Sequence, residues 1–467
     1  LWLWDVPLRW FFLKSDDFSY LGQSRTASAL FSHLVAPHNG HVVPLFMLET
    51  HLLARLAGSL ERLPTVLSWA SYITLALVIA ATGHVAAWET GRPALGLAAM
   101  AALGLTSVLG PTLLWYASTQ ALASGAMIMV MLAALQRWRA RDAWWSLLSA
   151  VLASIAAPLL WSAGYAAVVV AMAYLWADGR RACRRVAVIF PAISLFLALS
   201  VWQVAGNGFA LASHCAKRSL TDLLPLGAVI AHASQAVCEA LVLNNLGLDA
   251  ETTGLQGIAF VTLLIGLWAW SRRDSIRPGP RSWPRLNPLE SAGAALVAGS
   301  FGIIFAGRGV DGSFDGLRAM GWYDAMAELG AVLFIAGWWA GPTDSPPPSS
   351  LEPPRRLELL AVTLFAFVFL AVQSPRFDRV IYHYDGASAP FGPNAPIRVA
   401  PQTAADLARR AKLQRNALAE LDRFERSACE TGVSDATIRD NINQFSVPGI
   451  PARFPDFNNE DLLDLPD

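Results

Sequence analysis

Charge is what this sequence has least of. Asp, Glu, Lys and Arg make up 15% of its 467 residues, against about 25% in soluble chains, while 54% are hydrophobic and mean hydropathy is +0.41. That balance excludes a soluble multidomain protein. The charge that is present cancels, 35 basic residues against 35 acidic, so no global field exists to recruit nucleic acid, and nucleic-acid partners are excluded with it. Lysine is almost missing: Lys14, Lys217 and Lys412 apart, every cation is an arginine. Four cysteines without a CxxC or His/Cys spacing leave no zinc motif and no metal expectation, and no repeat of solenoid type is present.

What the sequence does have is long apolar runs. They cover about 64–88, 93–110, 118–136, 143–159, 162–177, 186–205, 255–271, 289–306, 325–341 and 357–373, each of a length that crosses or nearly crosses a bilayer. With the opening LWLWDVPLRWFFL, shorter than the roughly 20 residues a span needs, the expectation is an all-α polytopic membrane protein of about eleven spans, with residues missing upstream of Leu1. The apolar block 143–177 is broken by Pro158, Trp161 and Gly164 and flanked on both sides by arginines, Arg137, Arg139 and Arg141 before it and Arg180, Arg181, Arg184 and Arg185 after it. Basic flanks belong on the cytoplasmic side, so the block must turn back as a hairpin.

Extending the count puts Arg272, Arg273, Arg277, Arg281, Arg285, Arg355 and Arg356 in the cytoplasm as well. The extracytoplasmic side then receives the loops 14–62, 206–254 and 307–324 and, beyond a bundle of residues 1–375, an arm formed by residues 376–467. Ionisable residues inside the spans are almost absent, which counts against a transporter and places the working surface outside. Cys215 and Cys238 share one external loop, where a disulfide or two packed thiols are both open.

The first loop carries the sharpest features. Asp16 and Asp17 are adjacent; one is a general base with a raised pKa, or both cap a helix. Ala27, Leu30, Phe31 and Leu34 make a short amphipathic helix lying along the membrane surface. Pro44 opens another helix, with Leu45, Leu52, Leu53 and Leu56 as its core-facing stripe and Glu49 in the middle of it, a costly place for a carboxylate unless it is paired or lines a wet cavity. His51 and Arg55 fall on its opposite side. His38 and His41 have metal-ligand chemistry, but in a Pro- and Gly-containing loop backbone hydrogen bonds are the commoner use. In the second loop, His232, Gln235 and Glu239 share a helix face, by default a solvated one. The third, GRGVDGSFDGLRAMGWYD, offers Arg308 and Arg318 for a phosphate and Trp322 and Tyr323 for stacking a sugar, or else an aromatic belt with interfacial arginines.

DDFSY at 16–20, NGHVVPL at 39–45, the span LLWYASTQALASGAMIMVMLAAL, and GRG followed by WYDAMAELG at 322–330, in that order and topology, resemble the C-type membrane glycosyltransferases, nearest the bacterial relatives of protein O-mannosyltransferases and aminoarabinose transferases. The resemblance implies a bacterial inner membrane protein moving a sugar from a polyprenyl-phosphate donor to an extracytoplasmic acceptor, with Asp16 or Asp17 as base, Arg308 and Arg318 on the lipid phosphate, and no cofactor. Where such relatives often show an Arg-Tyr pair before the late span, this chain has Gly321, Trp322 and Tyr323. The other reading is a noncatalytic subunit of the same shape, held in a larger membrane complex through protein partners on the C-terminal arm.

Overall fold

The computed structural model describes residues 20–35 except 22 and 25, 42–59, 62–178 except 115, 180–212, 226–248, 252–273, 286–308, 321–341 and 353–384. These residues form helices and no strand. In chain order they are α1 (Ala27–His33), α2 (Pro44–Ala57), α3 (Leu63–Thr90), α4 (Pro93–Leu105), α5 (Gly110–Leu114), α6 (Thr119–Arg141), α7 (Trp144–Leu160), α8 (Ala166–Ala177), α9 (Arg181–Ala187), α10 (Ile189–Ala212), α11 (Leu226–Ala236), α12 (Gly254–Ser271), α13 (Pro288–Arg308), α14 (Ala325–Ala340) and α15 (Arg356–Tyr384). A seven-residue π-helical turn, Val237–Leu243, continues α11.

Each of the ten apolar stretches falls on a helix. Among the described residues six segments, within α3, the 3-10 turn Tyr116–Ser118 with α6, α9 with α10, α12, α13 and α15, are long and apolar enough to cross a membrane, and five shorter apolar helices accompany them. The fold is therefore an all-α, multi-pass membrane protein. The break in the 143–177 block is as expected: α7 ends at Leu160, Trp161 is extended, and a 3-10 turn at Ser162–Tyr165 restarts the chain as α8.

Side-chain pairing shows that the block turns back. Arg139, near the end of α6, makes ion pairs with Glu89 at the end of α3 (2.7 Å) and with Asp178 just past α8 (2.6 Å), so these three helices finish at one end of the bundle. Arg180 pairs with Asp178 there, and Tyr174 joins Glu89 and Arg139. Burial works against the Asp178 carboxylate, yet the hydrogen bond from Arg180 and the charge of Arg139 hold it below the usual range. A second buried pair, Arg272 with Glu290 at 2.6 Å, ties α12 to α13, and Arg272 also donates to the Trp338 carbonyl near the end of α14. The arginine-rich turns thus close one end of the molecule with ionic bonds. Much of the remaining core is apolar, with Val78, Met129, Leu132, Leu296 and Leu333 fully buried.

Backbones approach closely between α13 and α14. A Cβ on Gly293 would meet the Gly330 carbonyl and the Phe334 nitrogen at 2.4 Å, and one on Gly330 would meet the Gly293 carbonyl at 2.7 Å, the small-residue contact that membrane helices use when water provides no hydrophobic drive. At the periphery α12 and α15 bury only 6% of their apolar windows, leaving faces such as Leu263, Leu267 and Trp270 or Leu360, Leu364 and Phe367 for lipid.

Two expectations about faces are corrected. In α2 the residues turned into the protein are Phe46, Met47, Thr50 and Ala57, whereas Leu48, Leu52 and Leu56 are exposed. The aromatic partners Tyr20 and Tyr116 sandwich Phe46 and so decide which side goes in. The face of α11 bearing Gln235 is not solvated: Gln235 is buried and donates to the Thr252 carbonyl, and Glu239 accepts from the backbone and hydroxyl of Thr252. In α1, Leu30 is buried but Phe31 is 75% exposed. Cys238 is a free, buried thiol; Cys215 lies outside the described residues.

Candidate functional site

The end opposite the ion pairs holds two polar junctions. The first lies where α2 meets the starts of α3 and α6. Thr50 donates to the Phe46 carbonyl and shares a 3.0 Å hydrogen bond with the Tyr116 hydroxyl. Ser71 and Thr119 are hydroxyl to hydroxyl at 2.7 Å, and Thr119 in turn donates to the Thr112 carbonyl. The His51 Nδ1 sits 2.5 Å from the Ser24 carbonyl oxygen; a carbonyl only accepts, so that nitrogen carries the proton. These bonds fix α2 against the bundle and so fix Glu49.

Glu49 is partly buried and, among the described residues, has neither a hydrogen bond nor an ion pair. Burial alone raises its pKa to about 7. It stands beside Leu48 and Leu52, 39% and 58% exposed, and one turn on from the buried Phe46. The opening expectation placed this carboxyl within a core-facing stripe; it instead borders the buried and the exposed faces. A carboxyl of this kind can take a proton near neutral pH, because half of it is ionised there.

The second junction was missed from sequence. Asp324 ends a 3-10 turn (Gly321–Asp324) that packs on the 107–109 turn and on the π-helical turn. It is 8% exposed and has no hydrogen bond or ion pair among the described residues. Burial, with Glu328 and Glu239 alongside, drives its pKa well above the usual carboxylate range. Glu328, one helical turn on, accepts from the Asn245 amide at 2.9 and 3.0 Å, and Asn245 accepts from Thr106 at 2.7 Å. Gln373 of α15 fastens the rim, accepting from the Ser107 amide and donating to the carbonyls of Asn244 and Asn245. An acid pair spaced i, i+4 at the head of an apolar helix was the available signal, and it reads equally as a helix start.

Of the other candidates, Tyr323 is buried with its ring stacked on Trp161 at 6.0 Å and 18°. Arg308 is the last residue of α13 and Trp322 belongs to the 3-10 turn, their side chains not being among those described. Asp16, Asp17, His41 and Arg318 lie outside the described residues, as does the 385–467 portion of the arm. Comparison with protein-family models, curated proteins and solved structures gives no match to this chain.

Proposed function

We propose that this multi-pass protein, of about eleven spans, is an inverting, metal-independent glycosyltransferase of the bacterial inner membrane that uses a polyprenyl-phosphate sugar on the extracytoplasmic side. The observation that carries this reading is Glu49: a carboxyl poised near neutrality, without a partner among the described residues, at a border between packed protein and exposed leucines. A base in that place serves a reaction whose donor is anchored in lipid and whose acceptor arrives from water.

The chemistry is a displacement at the anomeric carbon. The acceptor oxygen forms the new glycosidic bond while the bond from that carbon to the phosphate oxygen breaks. The acceptor proton passes to a carboxylate, Asp16 or Asp17 by family likeness, with Glu49 nearby in sequence to relay it. Polyprenyl phosphate leaves, its developing charge met by Arg308 and Arg318. His41, Trp322 and Tyr323 complete the proposed binding set, and residues 376–467 form the extracytoplasmic arm.

The test is sugar transfer by the full chain in lipid nanodiscs, with polyprenyl-phosphate hexoses and pentoses carrying a radiolabel in the sugar. Asp16→Asn, Asp17→Asn and Glu49→Gln are compared with the parent, and loss of the base lowers turnover by about 10²–10⁴-fold. Absence of transfer by the parent chain from every such donor, together with its purification as a stoichiometric member of a complex, establishes the scaffold reading instead.

A further inference from the structure

Arginine is concentrated where α6 and α8 end and α9 begins. Residues 137–142 and 178–185 carry seven arginines and two aspartates, and Glu89 reaches them from the end of α3. The buried acids are already engaged: Glu89 holds Arg139, and Asp178 holds both Arg139 and Arg180. Arg137, Arg141, Arg181 and Arg185 are exposed, stand outside that network and have no ion pair among the described residues. They come as two pairs spaced i, i+4, one near the end of α6 and one on α9, and like charges at that spacing repel along a helix. The Arg180 guanidinium donates to the Arg139 carbonyl at 3.2 Å, which brings the start of α9 against the last turn of α6. Both repelling pairs therefore belong to one rim, and an anion seated there turns repulsion into attraction.

The surroundings of the rim narrow the kind of anion. Trp144 and Trp145 open α7, exposed and with their rings stacked at 5.0 Å, and Arg184 lies 5.3 Å over the exposed ring of Trp176 near the end of α8. Tryptophan beside arginine marks headgroup depth in a bilayer. Farther along the same helices, α7 and α10 pack on each other and both turn apolar side chains outward, Leu148 and Leu152 from one, Leu195, Phe196 and Leu199 from the other. A soluble polyanion has no use for those faces. A molecule with a negative head and hydrocarbon directly beneath it uses the whole surface, and arginine clusters beside a span attract such lipids by charge.

We infer that the arginine rim of α6 and α9, with the tryptophans beside it and the apolar faces of α7 and α10 below, binds an anionic phospholipid of the phosphatidylglycerol class. This surface lies at the end of the bundle away from Glu49 and stands whether or not the chain transfers sugars.

The test is thermal unfolding of the full chain in dodecyl maltoside micelles, titrated with dioleoylphosphatidylglycerol. Two controls run in parallel: dioleoylphosphatidylcholine has the same chains without net charge, and glycerophosphoglycerol has the same headgroup without chains. Phosphatidylglycerol raises the melting temperature in a saturable way that neither control matches, and about 1 M sodium chloride, which shortens the screening length to about 3 Å, removes most of the gain. Arg181→Gln with Arg185→Gln weakens the midpoint by at least about tenfold, the loss of two charges near the membrane surface. Should that variant fail to fold, Arg137→Gln with Arg141→Gln carries the same comparison. Arg355→Gln with Arg356→Gln removes as much charge from the exposed start of α15 and leaves the midpoint where it was. An equal response to either control, a gain that survives the salt, a midpoint unchanged in the folded rim variant, or an equal loss in the α15 variant overturns the proposal.

Discussion

Glu49 links protonation to folding in a definite direction. Its folded pKa of about 7 lies above the ordinary 4.5, so the folded state holds a proton that the unfolded chain has released. Its stabilising contribution is complete below about pH 4.5, declines as pH rises through 7, and is gone above that. Glu49→Gln, a permanent mimic of the protonated form, therefore melts like the parent near about pH 4.5 and later than the parent near about pH 8. A melting advantage that stays constant across that interval removes the claim that burial sets this group. A carboxyl in the wrong place on an apolar helix was legible in the residues themselves. Asp324 and Glu328 were not: their significance comes from Glu239, Asn245 and Thr106, distant in sequence, and no local pattern announces that encounter.

At the scale of elements, helix existence and the 143–177 turn were readable because periodicity, proline and arginine flanks all agreed. Which face of a helix turns inward was less so. In α2, leucines at 45, 48, 52, 53 and 56 surround much of the circumference, so hydrophobicity alone selects no side; Phe46 between two tyrosines does. The α13 and α14 contact was equally hidden, since glycine in a membrane helix is commonplace until a second one is found opposite it. Gly293→Val places carbon against backbone at 2.4 Å, which no side-chain rotation relieves. The expected outcome is loss of about 3 kcal/mol or more, read as early unfolding in detergent, while Gly302→Val, with open space around its Cβ position, has little effect.

For the molecule as a whole, the sidedness deduced from arginine placement acquires a structural counterpart: Glu89, Arg139 and Asp178 meet at one end, and Thr106, Asn245 and Glu328 meet at the other. Cysteine labelling checks the assignment to the two sides of the membrane. In a chain whose four native cysteines are replaced, Leu248→Cys, at a position 51% exposed, reacts in intact cells with a maleimide that cannot cross the membrane, and Arg181→Cys reacts only after permeabilisation. The reverse pattern inverts the topology and removes both junctions from the outer face.

The two ends are also unlike in strength. Buried guanidinium and carboxylate pairs, whose rupture strands a charge at about 3–5 kcal/mol, fasten one; single hydrogen bonds between hydroxyls and amides, each nearer about 1 kcal/mol, fasten the other. Thermal motion in such a body is lopsided, as in tongs riveted at the grip: the helices splay where the joints are weakest, and breathing at that end never loosens the rivet.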